Sequence, residues 1–231
     1  MLSEIDIAKF LKATRSSPFE DKASWILRLV KSRSVLDLGC IGHSMERVDQ
    51  EGDRWLHKRI CQDASDVVGL DVLEPEAKVL ETRGFDIRVA NAEDFQLDRF
   101  FDVIVCGDLI EHVSNHAGLL GSIHRHLTPE GIAIVTTPNP LAVARIANII
   151  CDGSTSINLE HTCWICPQTM LQLGDRCDFE ICEFRWLNTD FPMKSHRLPW
   201  APIANAVARI LVRVNRSLSN DFGVVLRKKR A

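Results

Sequence analysis

The chain contains no tyrosine, which excludes any chemistry that depends on a phenol side chain. It has no apolar run of about 18 residues, the length a membrane-spanning helix needs. Its opening residues include Glu4 and Asp6 where a secretory leader would carry an apolar core. It also lacks a dominant charge. Lys and Arg number 28 against 31 Asp and Glu, a formal net charge of −3, so nothing draws the molecule as a whole toward nucleic acid. The basic residues 227–230 read as a solvated tail. The eight cysteines are scattered through apolar segments. That pattern suits free thiols in a reducing cytoplasm better than a disulfide framework.

What is present is ordinary for a globular chain. Hydrophobic residues make up 45% and charged residues 26% of 231. That length suits one large α/β domain over residues 1–231. Residues 5–12 and 20–32 carry apolar positions at helical spacing, so 1–32 predicts a pair of N-terminal helices. Short apolar runs at 34–38, 67–71, 85–89, 101–106 and 132–137 predict buried strands. Helical patterns at 54–64, 75–83 and 116–127 fall between them, with 128–131 as a stop signal. Strands that are apolar throughout and alternate with helices predict a parallel sheet covered on both faces. Further on, 167–174 reads as a helix and 179–187 and 222–226 as strands. Between the last two lies an insertion, 190–219. In it Ile203, Val207, Ile210, Leu211 and Val214 share one helical face, and Arg209, Arg213 and Arg216 lie opposite. This helix is either a lid over a substrate site or, through 200–216 with Trp200, a peripheral membrane contact.

Ligands of doubly wound sheets bind beyond the carboxyl ends of the strands, and those positions carry suggestive residues. Asp37-Leu38-Gly39-Cys40-Ile41-Gly42 places an acid at a strand end and glycines at the turn, where the backbone can approach a ligand. Asp71 closes the next strand, where a carboxylate can accept both ribose hydroxyls. Asn91-Ala92-Glu93 follows the third strand, with groups able to read an adenine edge. Cys106-Gly107-Asp108 follows the fourth.

Taken in order, these segments resemble the class I S-adenosylmethionine-dependent methyltransferases, in the broad small-molecule group. The family's signatures V-L-D-L-G-C, F-D-V-I, E-H-V and L-x-P-x-G stand here at 35–40, 101–104, 111–113 and 127–131. His161-Thr162-Cys163-Trp164 resembles its histidine-led segment. The match runs from about 34 to 188. It implies a Rossmann-like, doubly wound α/β fold, with a mostly parallel seven-stranded sheet, an antiparallel last strand at 222–226 and helices on both faces. It assigns S-adenosyl-L-methionine to Asp37, Gly39, Cys40, Gly42, Asp71, Val72, Asn91, Ala92, Glu93, Cys106 and Asp108. The turn departs from the family: Ile41 and His43 occupy positions that are often glycine. The long spacing to Asp71 predicts an extended loop over 41–54.

Methyl transfer to an oxygen or nitrogen of a small-molecule or lipid-like acceptor needs positioning and, for some acceptors, a general base. The resemblance places His112 near the transferred methyl and His161 beside the acceptor; His57 is a weaker third candidate. An NAD-binding oxidoreductase is disfavoured, because a dinucleotide turn needs a middle glycine that is absent here. A non-catalytic protein that keeps the fold is the other alternative. Cys163-x-x-Cys166, with Cys177 and Cys182, invites a zinc reading, but the last two cysteines are too widely spaced, and no metal is assigned. Nucleic acid is not an expected partner, and the oligomeric state is left open.

Overall fold

Ser3 opens the first helix, α1 (Glu4–Thr14), through a capping box: its hydroxyl accepts the Asp6 N–H while the Asp6 carboxylate accepts the Ser3 N–H. Pro18 then halts helical geometry, and Phe19–Asp21 forms an edge strand, β1. Asp21 caps α2 (Lys22–Val30) by accepting the Ser24 N–H at 2.8 Å. The expectation of helices alone over 1–32 is corrected by β1. The computed structural model describes residues 2–153, 158–188 and 201–230.

The remaining elements run β2 (Ser34–Leu38), α3 (Met45–Glu51), α4 (Leu56–Asp63), β3 (Asp66–Asp71), α5 (Glu74–Thr82), β4 (Ile87–Val89) and β5 (Phe101–Gly107). They continue with α6 (His116–His126), β6 (Leu127–Pro138), α7 (Val143–Asp152), α8 (Pro167–Arg176), β7 (Phe179–Asn188), α9 (Ala201–Val214) and β8 (Asp221–Lys228). Among the described residues, all eight strands join one sheet in the order β1-β7-β8-β6-β5-β2-β3-β4. β8 runs antiparallel to both neighbours, and every other pairing is parallel. The expected sheet is therefore present with one strand more, β1 at its edge.

Successive residues of β2 and β5 point to opposite faces, and both faces are covered, which explains why apolar residues stand on both sides of each strand. Leu36, Leu38, Ile104 and Cys106 pack with Leu119, Leu120 and Ile123 of α6 and Met170 of α8. Val35, Val103 and Val105 pack with Trp25, Ile26 and Val30 of α2 and Ile60 of α4. The chain builds outward from β2 through β3 to β4, then returns to place β5 on the other side. Strand order thus reverses between β2 and β5, where Leu38 pairs with Cys106.

Four sequence expectations change. The stretch 41–54 is not an extended loop: Ser44 accepts the Arg47 N–H and starts α3. Residues 128–131 continue into β6 with an irregular register against β5. α7 was not anticipated. In α9, Ala208 and Val212 are buried, whereas Val207, Ile210, Leu211 and Val214 are exposed. The helix therefore rests on its small-residue side, and the wide apolar stripe faces out. Residues 189–200, with Trp200, lie outside the described residues, and so does the Ile203 side chain. No described helix is long and apolar enough to cross a membrane.

Candidate active site

The turn after β2 lies at the strand-order reversal. Gly39 and Gly42 adopt φ of 69° and 78°, a region L-residues rarely visit. A Cβ at Gly39 would press on Leu109 Cδ1 at 3.2 Å, while one at Gly42 would meet nothing within 4 Å. At Gly42 the turn thus leaves bare backbone facing open space, while Gly39 packs against Leu109.

Asp71 ties this turn to the next. Its Oδ2 accepts the Ile41 N–H at 2.9 Å, and its Oδ1 accepts those of Val72 at 2.8 Å and Leu73 at 3.2 Å. Burial pushes its carboxyl up, and the backbone N–H groups offset part of that rise. Val72 itself is exposed. Asp37 lies beneath the turn, where its Oδ2 meets His57 Nδ1 at 2.8 Å. Burial pushes the His57 imidazole down, but the hydrogen bond and charge of Asp37, with the Cys61 thiol, outweigh it and carry the ring up to about 9. The Cys40 carbonyl accepts Trp55 Nε1–H at 2.8 Å, and its side chain packs with Ile41, Val48 and Trp55.

After β4, Asn91 is exposed and Ala92 buried. Asn91 Oδ1 accepts the Glu93 N–H at 3.0 Å. The Glu93 carboxylate accepts the N–H groups of Ser114 at 2.6 Å and Asn115 at 2.8 Å. It holds this loop against the start of α6, so a ligand there meets Asn91 and backbone first. Cys106 corrects an expectation: its side chain is fully buried in the core, and only its backbone is left to line a site.

Asp108 holds φ of 49°, unusual for a residue with a Cβ. Its N–H donates to the Thr136 carbonyl at 3.1 Å, and its Oδ1 accepts Thr136 Oγ1–H at 2.9 Å. Its Oδ2 lies 2.5 Å from Lys22 Nζ, which also reaches Asp221 Oδ2 at 3.0 Å. Burial pushes the Asp108 carboxyl up, and the Lys22 ammonium overrides this and holds it below its ordinary value. Nothing local in the sequence marks Lys22, a lysine at a helix start 86 residues away.

One turn beyond Asp108, Glu111 is buried. Its Oε2 accepts Thr137 Oγ1–H at 3.0 Å, and its Oε1 is buried without a partner. Burial, then the Asp108 charge, push its carboxyl up to about 8. The Glu111 carbonyl accepts both the Thr162 N–H at 2.9 Å and its hydroxyl at 3.1 Å. That pairing draws the segment carrying His161 against the one carrying His112. The two rings meet edge to face with centroids 4.7 Å apart, and His43 approaches His112 at 5.8 Å. His43 is in turn held by Glu160 at 3.0 Å. Burial first, then neighbouring positive charge, keep His112 and His161 below the ordinary histidine value. Both are therefore neutral near pH 7 and able to accept a proton.

Glu111, His112 and His161 also offer ligand atoms within 4.8 Å of one another, a spacing that a metal ion accepts. The cysteines form no such group among the described residues. Cys163 Sγ faces His116 Nε2 at 3.2 Å, Cys166 Sγ faces Thr169 and Cys182 Sγ faces the Val225 carbonyl. Sequence reasoning missed Lys22, His43 and Glu111 as site residues. Glu111 opens the quoted E-H-V signature and His43 follows the glycine turn, but their roles depend on β6 and on residue 160.

The reversed strand order, the glycine turn at the reversal and the acid closing β3 define a doubly wound nucleotide-type site of the class I S-adenosylmethionine-dependent methyltransferases. The methyltransferase domain model matches residues 14–183, and the chain belongs to that family. Curated relatives include the ubiquinone biosynthesis O-methyltransferases of Rickettsia akari and Rickettsia felis. The first is 22% identical over 71% of this chain and 65% of that protein. The second is 24% identical over 70% of this chain and 66% of that protein. The match thus spans just under two thirds of those relatives' length. Among solved structures, the fold is similar to an S-adenosylmethionine-dependent methyltransferase from Mesorhizobium loti. That likeness has a TM-score of 0.55 and 21% identity, covering 89% of this chain and 98% of that one. A SAM-dependent methyltransferase from Archaeoglobus fulgidus gives 0.54 and 17%, covering 97% and 94%.

Proposed function

We propose that the chain moves the methyl group of S-adenosylmethionine to an oxygen or nitrogen of a small-molecule or lipid-like acceptor. The observation carrying this reading is the pair of neutral imidazoles, His112 and His161, in contact beyond the end of β5 and beside the strand-order reversal. The donor fits the turn: Gly42 leaves space that a Cβ would fill, and a sulfonium cofactor needs no pyrophosphate cradle. When bound, the donor supplies a carbon already activated for in-line displacement. The chain's own residues do the rest. Asp71 receives the ribose hydroxyls while Ile41 N–H holds its orientation. The backbone of Gly39 and Gly42 would hold the donor, and Asn91 and Ala92 would take its base. His112 or His161 takes the acceptor's proton on a ring nitrogen. The name carried by the Rickettsia relatives supports an oxygen acceptor.

A finer reading concerns the acceptor's source. α7 and α9 pack together on the side where β6 ends, and they expose Ile149, Ile150, Val207, Ile210, Leu211 and Val214. Arg209 and Arg213 are exposed on α9, which carries no acid. An apolar face with cationic neighbours suits an anionic lipid surface, and a lipid-like acceptor would be met there.

The first reading is tested with methyl-labelled donor and a panel of phenols, catechols and amines. Transfer is expected, and His112→Ala or His161→Ala should lower kcat about 100-fold with donor affinity in calorimetry held within about twofold. If both variants keep full turnover, positioning alone is at work. Absence of donor binding selects the non-catalytic alternative. For the lipid reading, the protein should float with phosphatidylglycerol vesicles, and Ile210→Asp with Val214→Asp should leave it in the soluble fraction. Equal flotation of both proteins would reject that face.

A further inference from the structure

Arg145, in the first turn of α7, is half-buried and forms no ion pair among the described residues. Its Nη1 donates to two backbone carbonyls, of Asn139 at 2.6 Å and Asn220 at 2.8 Å. Its Nε is buried without a partner, a state that native proteins seldom leave unexplained. Its Nη2 donates to no described residue either. Tying two loops together occupies one nitrogen. The Nε–Nη2 edge, whose parallel N–H groups suit a carboxylate or phosphate, is left over. The helix itself gains nothing from a cation at this place. α7 starts with no side-chain cap and no acid in its first turn, and a helix start disfavours positive charge.

Hydrogen bonds fix this guanidinium at the carboxyl ends of β5 and β6. Asn139 follows β6 directly, and its wholly buried side chain donates to the Ser217 and Ser219 carbonyls, each at 2.8 Å. Two residues earlier, Thr137 Oγ1–H donates to Glu111 Oε2 at 3.0 Å. Glu111 offers an oxygen within 4.8 Å of ring nitrogens of His112 and His161. Arg145 thus stands beyond the end of β6 as the imidazoles stand beyond the end of the neighbouring β5. Its charge contributes to holding His161 below the ordinary histidine value. Asp108 and Asp221, the acids around it besides Glu111, share the Lys22 ammonium, and burial keeps Glu111 largely protonated near neutral pH.

The geometry points to Arg145 as the residue that selects an acceptor carrying an oxyanion, a carboxylate or a phosphate, bound on the Nη2 side of the guanidinium while the reacting hydroxyl or amine meets the imidazoles. The oxyanion accepts the N–H groups that the chain leaves unused and supplies the negative charge that no side chain brings. An uncharged isostere leaves the guanidinium as it stands, so the site discriminates by a missing charge-assisted hydrogen bond. That the ligand is a methyl acceptor rests on the methyl-transfer reading; that an oxyanion binds Arg145 does not.

The probes are matched catechols that differ only in one group opposite the hydroxyls: a carboxylate, its primary amide or a phosphonate, attached directly or through one or two methylenes. Binding of each to the full chain, saturated with S-adenosylhomocysteine, is measured by calorimetry, and turnover is measured with methyl-labelled donor. At one linker length or more, an anion is expected to bind at least about tenfold more tightly than its amide, with the same ratio in KM. A larger ratio for the carboxylate assigns a carboxylate acceptor, and a larger one for the phosphonate a phosphate ester. Ratios within about twofold of one at every length overturn the proposal without any variant. Arg145→Met should bring the ratio to about one, and a retained preference removes Arg145 from the site. Arg145→Gln, which keeps N–H groups for the two carbonyls, gives the same reading if the Met variant fails to fold. If no probe is methylated, the methyl-transfer reading loses its support here, while the calorimetric ratios still decide whether Arg145 holds an oxyanion.

Discussion

Asp71 serves two turns with one carboxylate. It accepts N–H groups from Ile41 on one side and from Val72 and Leu73 on the other, so the ribose position and the shape of the glycine turn depend on the same group. Asp71→Ala would leave three N–H groups without their acceptor, at a cost of about 1–3 kcal/mol in stability. Donor binding should fall at least about 100-fold in calorimetry, and binding within twofold of the parent chain would remove Asp71 from the ribose site. Much of this site is readable residue by residue. Asp37, Gly39, Gly42 and Asp71 sit at strand ends, where their chemistry has few other uses. The partners are not readable. His57 reaches Asp37 only because α4 packs under β2. Glu111 stands inside the E-H-V signature, yet its buried oxygens depend on Thr137 of β6. Cys106 occupies the right sequence position, but strand alternation turns its side chain into the core.

At the scale of elements, the strands of the parallel sheet are legible because both faces are covered and apolar residues run through their interiors. Short or polar elements leave weaker traces. β1 has three residues and exists through its ladder to β7, with Trp186 N–H donating to the Pro18 carbonyl at 3.0 Å. α3 is polar and buries Val48 alone. Its Ser44 cap and the Arg47–Glu51 pair were its visible signals. α9 shows where periodicity misleads. The wide stripe through Val207, Ile210 and Leu211 has a stronger apolar pattern than Ala208 and Val212, but the smaller side chains allow the closer approach. β8 carries the tightest contact of this kind. A Cβ at Gly223 would lie 2.8 Å from Trp25 Cη2 and 2.9 Å from Leu187 Cδ1, and Trp25 is wholly buried. Gly223→Ala should therefore cost about 1–3 kcal/mol through overpacking. That would appear as a drop of several degrees in the calorimetric midpoint, whereas an unchanged midpoint would show that α2 shifts freely.

At the scale of the whole molecule, Lys22 joins distant parts of the chain. Its ammonium lies between Asp108 at the end of β5 and Asp221 at the start of β8, and the side chain is 13% exposed. The N-terminal helix α2 is thereby bound to the carboxyl end of β5 and to β8. Lys22→Met would leave two acids without their shared cation. Asp221 is buried but Asp108 is 42% exposed and reached by water, so the loss is about 1–3 kcal/mol and the thermal midpoint should fall by roughly 3–8 °C. A shift under about 2 °C in a thermal melt would show that water or another cation replaces the ammonium.

The position of β8 affects how the molecule is made. Among the described strands it comes last in sequence, yet it lies between β6 and β7. While the chain is being synthesised, β5 and β6 can assemble with β2, β3 and β4, but β7 and β1 have no ladder to the rest until residues 221–228 emerge from the ribosome. Until then β6 presents a free edge, a template for pairing with other chains. One late insertion completes both ladders, and because its contacts span nearly the whole sequence it sets a slow step. Nascent chains stalled before that point are the form most in need of chaperones, and a fusion partner placed directly after β8 would lengthen the exposure of that edge or shorten it, according to how fast it folds.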